Sequence, residues 1–122
     1  MYLIGGENYG DYDVEYYNDV QQYDVVKGTL KTVPTTGTKP SPRSGHGSLM
    51  INDIVYLYGG SFYDQYARIQ YFKSDIFSFN TTSQEWSAIS TFENIPLGRY
   101  GMNFFTFSGF SDSFYMFGGM NE

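Results

Sequence analysis

The run Asp11-Tyr12-Asp13-Val14-Glu15 sets carboxylates at alternate positions, the way a calcium-binding loop presents its oxygen ligands. A helix-flanked calcium loop also needs a glycine at its sixth position and a bidentate glutamate at its twelfth. Counted from Asp11, those positions hold Tyr16 and Gln22, so the run reads as a solvated acidic loop. His46 is the sole histidine. A zinc site or nucleophilic triad would rest on that one imidazole, and His46 reads as structural. Gly45-His46-Gly47 leads into a strand and not into a helix N-terminus, so it is no phosphate cradle. The chain has no cysteine, which excludes disulfides and thiolate metal sites. No catalytic residue, cofactor or metal is expected.

The elements that must position these residues are strands. Aromatic residues make up 20% of the 122 residues and charged ones only 16%, with 13 Tyr, 11 Phe and 14 Gly. Large aromatics favour strands and frequent glycines favour turns, so the chain reads as all-β. The net charge is −6, and Glu7, Asp11, Asp13, Glu15, Asp19 and Asp24 all precede the first basic residue, Lys27. The rest of the chain is neutral. With no basic stripe to neutralise phosphates, nucleic acid is not an expected partner. No stretch approaches the apolar length of a membrane span. The opening MYLIGG lacks a basic segment and a long apolar run, so no signal peptide is read and a cytoplasmic location is expected.

The sequence repeats itself. MYLIGG (1–6), VYLYGG (55–60) and FYMFGG (114–119) each place a Tyr three residues before a Gly-Gly pair. Between them, Asp19 to Arg43 and Asp75 to Arg99 are both 24 residues. At the resulting offset of 56, Thr35 falls opposite Thr91, Pro40 opposite Pro96, Gly45 opposite Gly101 and Leu30 opposite Trp86. The complete unit predicts four short strands: His46–Ile51, Ile54–Tyr58, Asp75–Phe79 and Glu85–Ile89. Asn52-Asp53 and the polar stretch Asn80 to Gln84 supply the turns. The second strand, IVYLY, is apolar without alternation, which implies burial on both faces between neighbouring sheets.

On these residues the chain resembles the kelch repeats, the blades of a β-propeller. The family pattern is a Gly-Gly pair ending the second strand, an aromatic and a Trp with six residues between, then an Arg and a Gly opening the next blade. Here Gly59-Gly60 is followed by Phe79 and Trp86, then by Arg99 and Gly101. The earlier copy has Gly5-Gly6, Tyr23 and Leu30, then Arg43 and Gly45, and Gly118-Gly119 closes a third phrase. Leu30 replaces the Trp and Phe79 the usual Tyr; both stay large and apolar, so their packing role is expected to survive. The resemblance implies four-stranded antiparallel blades in an incomplete propeller. Residues 1–38 form a partial blade (strands two to four), 39–94 a complete blade, and 95–122 a partial blade (strands one and two). The glycine pairs, Arg43, Arg99 and Trp86 are assigned structural roles. A propeller needs four to eight blades. The chain is therefore expected to be a fragment of a longer protein, to be completed by other chains or segments, or to dock on a host complex.

Alternating strand direction sends the loops after strands two and four to one face: 7–18, 61–74, 32–42 and 90–98. Long loops on a rigid scaffold are where binding concentrates, and in kelch proteins this face commonly binds partners. Exposed Tyr with nearby charge suits protein interfaces. Tyr9, Asp11, Tyr12, Asp13 and Glu15 in the first loop, and Tyr63, Tyr66 and Arg68 in the second, are the expected contact residues for a protein partner. An acidic first loop favours a basic partner segment. Kelch-like copper oxidases need a Cys–Tyr crosslink and two His ligands, which this chain lacks. Specifier proteins use an acid, an Asp and a His at four-residue steps, and after Glu15 and Asp19 the third position is Tyr23. The expected function is a non-catalytic protein-interaction module or scaffold subunit. The alternative is a fragment of a propeller enzyme, such as a sugar-processing one, whose site is completed by further blades.

Overall fold

The computed structural model describes residues 1–90, 93–107, 109 and 112–121. Thr91, the repeat partner of Thr35, lies outside the described residues, as do parts of the 90–98 loop. Among the described residues the chain forms twelve strands and no helix. The first sheet contains β1 (Tyr2–Tyr9), β2 (Val14–Asp24) and β3 (Thr29–Thr32), in that order. The middle sheet has the order β4-β10-β9-β6-β5. Its members are β4 (Thr36–Gly37), β5 (Gly47–Ile51), β6 (Ile54–Tyr58), β9 (Ile76–Asn80) and β10 (Glu85–Ile89). The hairpin β7 (Ser61–Asp64) and β8 (Ile69–Phe72) stands apart from it, and β11 (Tyr100–Phe105) with β12 (Tyr115–Met120) makes the last sheet.

Local chemistry sets the turns. Asn52, in the turn between β5 and β6, takes φ 53°, a left-handed conformation that Asn tolerates better than most residues. Three other hairpins share one device. The Oδ1 of Asp24, Asp64 and Asn80 accepts hydrogen bonds from the amides two and three residues on, at 2.9 and 3.0 Å in each case. The residue four after the Asx then turns left-handed: Gly28 at φ 65°, Arg68 at 56° and Gln84 at 59°.

The middle sheet is buried on both faces, as the unalternating IVYLY anticipates. On one side Val55, Leu57, Phe77, Phe79 and Trp86 close on Val20 and Val33, with Tyr2 and Ile4 packed against them. Phe79 and Trp86 have ring centroids 5.0 Å apart, and Tyr2 meets Phe79 edge-on at 6.3 Å. On the other side Tyr56 packs on Phe114 and Tyr58 on Phe104. Each large side chain buried this way contributes about 2–3 kcal/mol.

The expectation for Leu30 needs correction. Trp86 is 1% exposed, whereas Leu30 is 52% exposed. Leu30 sits in the first sheet, whose inner face is filled by Tyr2, Ile4 and Val20. Leu3 of the same sheet is exposed too, as are Phe105, Tyr115 and Phe117 of the last sheet.

The stretch 32–42 is also less loop-like than expected. Thr36–Gly37, which the repeat assigns to the first unit, pairs in parallel with β10 as the fifth strand of the middle sheet. The Thr36 amide donates to Gln84 O (3.0 Å) and that of Thr38 to Trp86 O (3.1 Å). The segment runs along an edge that would otherwise carry unpaired backbone groups.

Candidate functional site

The face carrying the turns after β1 and β7 is built from two projecting hairpins. Beyond the Gly-Gly pair, β1 continues as Glu7-Asn8-Tyr9 and stays paired with β2 up to Tyr9 opposite Val14, with a register shift between Ile4 and Gly6. The Gly10 amide donates to Asp13 O at 2.8 Å and closes the turn. The stretch 7–18 is thus a hairpin extension with a four-residue tip. Strand alternation puts Glu7, Tyr9, Val14 and Tyr16 on one side. Glu15 points the other way, where Tyr17 OH donates to its Oε2 at 2.7 Å. That bond, more than anything else, raises the Tyr17 phenol's pKa.

The second projection is β7–β8. Ser61 and Tyr63 share one side with their partners Phe72 and Gln70, and the Gln70 amide donates to Ser61 Oγ at 2.8 Å. On the other side Phe62 stacks on Tyr71 at 5.0 Å, and Lys73 Nζ lies 5.0 Å from the Phe62 ring centroid. This hairpin fills most of the stretch 61–74, which is expected from the repeat to be loop. Each strand has only four residues, too short for alternation to stand out. Its signal is the Asp64-to-Arg68 spacing, which repeats Asp24-to-Gly28 and Asn80-to-Gln84.

The connector 43–45 threads between the two projections. Gly6 donates to Arg43 O and Arg43 to Tyr17 O on one side, at 3.0 and 3.1 Å. On the other, Ser44 and Ser61 exchange both backbone bonds, at 3.0 and 2.9 Å. Gly60 leaves room for this crossing, and Gly59 for the approach of Arg99. Gly60 has φ 88°, and a Cβ there would lie 2.7 Å from Ser44 O; at Gly59 (φ 71°) it would lie 2.7 Å from Arg99 O. Arg43 anchors the connector from beneath. Its guanidinium is 2% exposed and forms a two-pronged ion pair with Asp75, one prong at 3.0 Å. It also donates to Gly59 O at 3.1 Å and to Ser41 O and Oγ at 3.0 Å, and it lies over the Phe77 ring. Arg99 repeats part of this pattern, donating to Leu97 O (3.1 Å) and Gly118 O (3.4 Å). Among the described residues it has no carboxylate partner.

Between the hairpins lies an open cleft of about 390 Å³, walled by Tyr9, Val14 and Tyr16 from one hairpin and Tyr63, Gln70 and Phe72 from the other. Ser44, Gly45 and Ser61 form its floor, and Tyr100 completes the lining. The Tyr63 amide donates to Tyr16 OH at 3.1 Å and ties the walls together. Burial, with the Glu7 carboxylate nearby, raises the Tyr16 phenol's pKa. Glu7 is the one charged residue of the lining, and its Oε2 accepts from Ser44 Oγ at 2.8 Å.

The expected contact residues divide. Tyr9 and Tyr63 line the cleft. Asp11, Tyr12 and Asp13 form the tip of the first hairpin, with Tyr12 97% exposed. Tyr66 and Arg68 sit in the tip of the second. Glu15 faces away, bonded to Tyr17. Glu7, Tyr16, Ser44, Gln70 and Tyr100 were not singled out by sequence reasoning.

His46 lies beneath the glycine pairs, in contact range of Cβ positions at Gly5 and Gly60. Burial and the Arg43 charge lower its pKa to about 4, against a backbone hydrogen bond with Ile4. Its Nδ1 is buried without a partner. At neutral pH it is an uncharged packing group. Among the described residues no three His, Cys, Asp or Glu side chains converge on a metal-sized site. Among the described residues no helix is long and apolar enough to cross a membrane.

The family model described as the KLHDC2/KLHL20/DRC7 Kelch-repeats domain matches residues 1–122. Kelch domain-containing protein 3 of Rattus norvegicus is 30% identical over 130 residues, covering 100% of this chain and 32% of that protein. Kelch repeat-containing protein 2 of Saccharomyces cerevisiae is 28% identical over 116 residues, covering 90% of this chain and 13% of that protein. The chain thus spans a third or less of these relatives' length. A solved structure described as that of YjhT superposes with a TM-score of 0.62 at 18% identity, over 83% of this chain and 36% of the other. That likeness concerns the fold.

Proposed function

The chain belongs to the kelch-repeat domain family, and from that premise we propose that it is a non-catalytic protein-interaction module that binds through its two projecting hairpins. The observation that carries this reading is the cleft. It is open, walled by tyrosines, and rimmed at one tip by Asp11, Tyr12 and Asp13. Tyr side chains supply large, stiff contact area at low entropy cost, and the paired hairpins hold them in place before a partner arrives. The chain's sole imidazole is packed beneath the glycine pairs, outside the cleft lining, and is neutral near pH 7.

Site-specific photocrosslinking tests the reading. A benzophenone amino acid replaces Tyr12, Tyr63 or Tyr66 on the hairpin face, or Thr82 in the β9–β10 turn at the opposite end of the strands. Partner adducts are expected from the first three positions and not from Thr82. Equal adducts from both faces, or adducts from Thr82 alone, would remove the hairpin face as the binding surface.

A further inference from the structure

We propose that the cleft between the hairpins receives a basic side chain, Arg or Lys, from the protein partner. The proposal rests on the interaction reading above and adds the chemistry of the contact. Glu7 supplies the charge. It stands against Tyr16, is held by Ser44 Oγ at 2.8 Å, and makes no ion pair among the described residues. No cation lines the cleft to compete for it. The local cation, Lys73, is engaged on the far side of the second hairpin over Phe62.

Tyr9, Tyr16 and Tyr63 line the same cleft as the Glu7 carboxylate. Aromatic faces attract cations through the ring quadrupole, most strongly when the site is partly desolvated. Gln70 adds an acceptor. Its amide nitrogen is committed to Ser61 Oγ, and among the described residues its carbonyl oxygen is left to receive a donor. A volume of about 390 Å³ holds a guanidinium or ammonium head with its methylene stem. Asp11 and Asp13 at the hairpin tip extend the negative potential outward. Four of the six acids that precede Lys27, Glu7, Asp11, Asp13 and Glu15, lie on the first hairpin, so a basic segment is steered toward it.

The test is an amide-resolved NMR titration of the full chain with three capped peptides, acetyl-Gly-Arg-Gly-amide, its lysine counterpart and its uncharged citrulline counterpart. The charged peptides are expected to shift the amides of Glu7, Tyr9, Ser44, Tyr63 and Gln70, and the citrulline peptide is not. Glu7→Gln keeps an acceptor for Ser44 Oγ, so the fold is retained, and it weakens the charged peptides roughly fivefold. Tyr63→Ala, made on the exposed hairpin, weakens them independently of that charge. Shifts confined to the tip residues 11–13, equal binding of the citrulline peptide, or unchanged affinity in Glu7→Gln would each overturn the proposal. Crosslinking of a partner to the hairpin face with a silent cleft would overturn the basic side chain and leave the interaction reading. Failure of crosslinking at that face would overturn the interaction reading whatever the peptides do.

Discussion

The buried histidine makes the junction beneath the cleft sensitive to acid. His46 has a pKa lowered to about 4 from 6.5 by burial and by the Arg43 charge. In the unfolded chain its imidazole takes up a proton near pH 6.5, while the folded chain refuses it until about pH 4. The unfolded state therefore binds more protons across that window, and stability rises with pH there. The contribution is fully present above pH 6.5 and is lost as the pH falls toward 4. A gap of about 2.5 pKa units corresponds to about 3 kcal/mol, a large share of the 5–15 kcal/mol that ordinary domains possess. Urea denaturation of the chain between pH 7 and pH 4, beside His46→Gln, isolates this effect. Carboxylate protonation is common to both proteins, and only the wild type carries the imidazole. The wild type should lose about 3 kcal/mol more than the variant over this range. Because His46 is the sole histidine, its ring signals can be followed by NMR without assignment ambiguity and should titrate near pH 4. Parallel stability curves, or a ring titrating near pH 6.5, would refute the burial argument.

Removing the anchor under the connector should cost more than removing any surface charge. Arg43→Ala strips Gly59 O, Ser41 and Asp75 of a buried donor. The loss should be about 3 kcal/mol in urea denaturation, at the low end for broken buried pairs because Asp75 can rehydrate. The two equivalent positions of the repeat should respond differently. Trp86→Ala should cost about 3–5 kcal/mol, and Leu30→Ala less than about 0.5 kcal/mol, as read by thermal melts of both variants. Joint neutralisation of Asp11, Asp13 and Glu15 should weaken crosslinking to the partner at low salt and flatten its salt dependence. Most of that effect should come from Asp11 and Asp13, since Glu15 faces away and is bonded to Tyr17. Equal partner yields for the wild type and the triple variant at every salt concentration would count against an acidic contact.

Much of the scaffold was legible in the residues because its causes are local. The repeated Gly-Gly phrase, the unalternating IVYLY and the Asn52-Asp53 turn each act within a few residues, through backbone conformation and strand periodicity. The β5–β6 and β9–β10 hairpins accordingly form with the expected turns. The β7–β8 hairpin was missed because each of its strands is four residues long, although its Asp64-to-Arg68 turn follows the same rule as its neighbours. Leu30 was misjudged because equivalence in a repeat says which residue type belongs at a position. It does not say whether another sheet lies over it.

The candidate site belongs to the second kind of information. Sequence alone determined that the chain is all-β, that it repeats, that its acid is concentrated before Lys27, and that Tyr-rich segments alternate with glycine pairs. The tertiary structure decided which of those tyrosines face one another, and it placed Glu7 beside Ser44 across 37 residues of chain. It also turned Glu15 away from the other acids. The physical reason is the crossing of the connector between the two hairpins. Its backbone bonds to Tyr17, Gly6 and Ser61 link segments far apart in sequence, and such contacts leave only the need for glycine as a local trace.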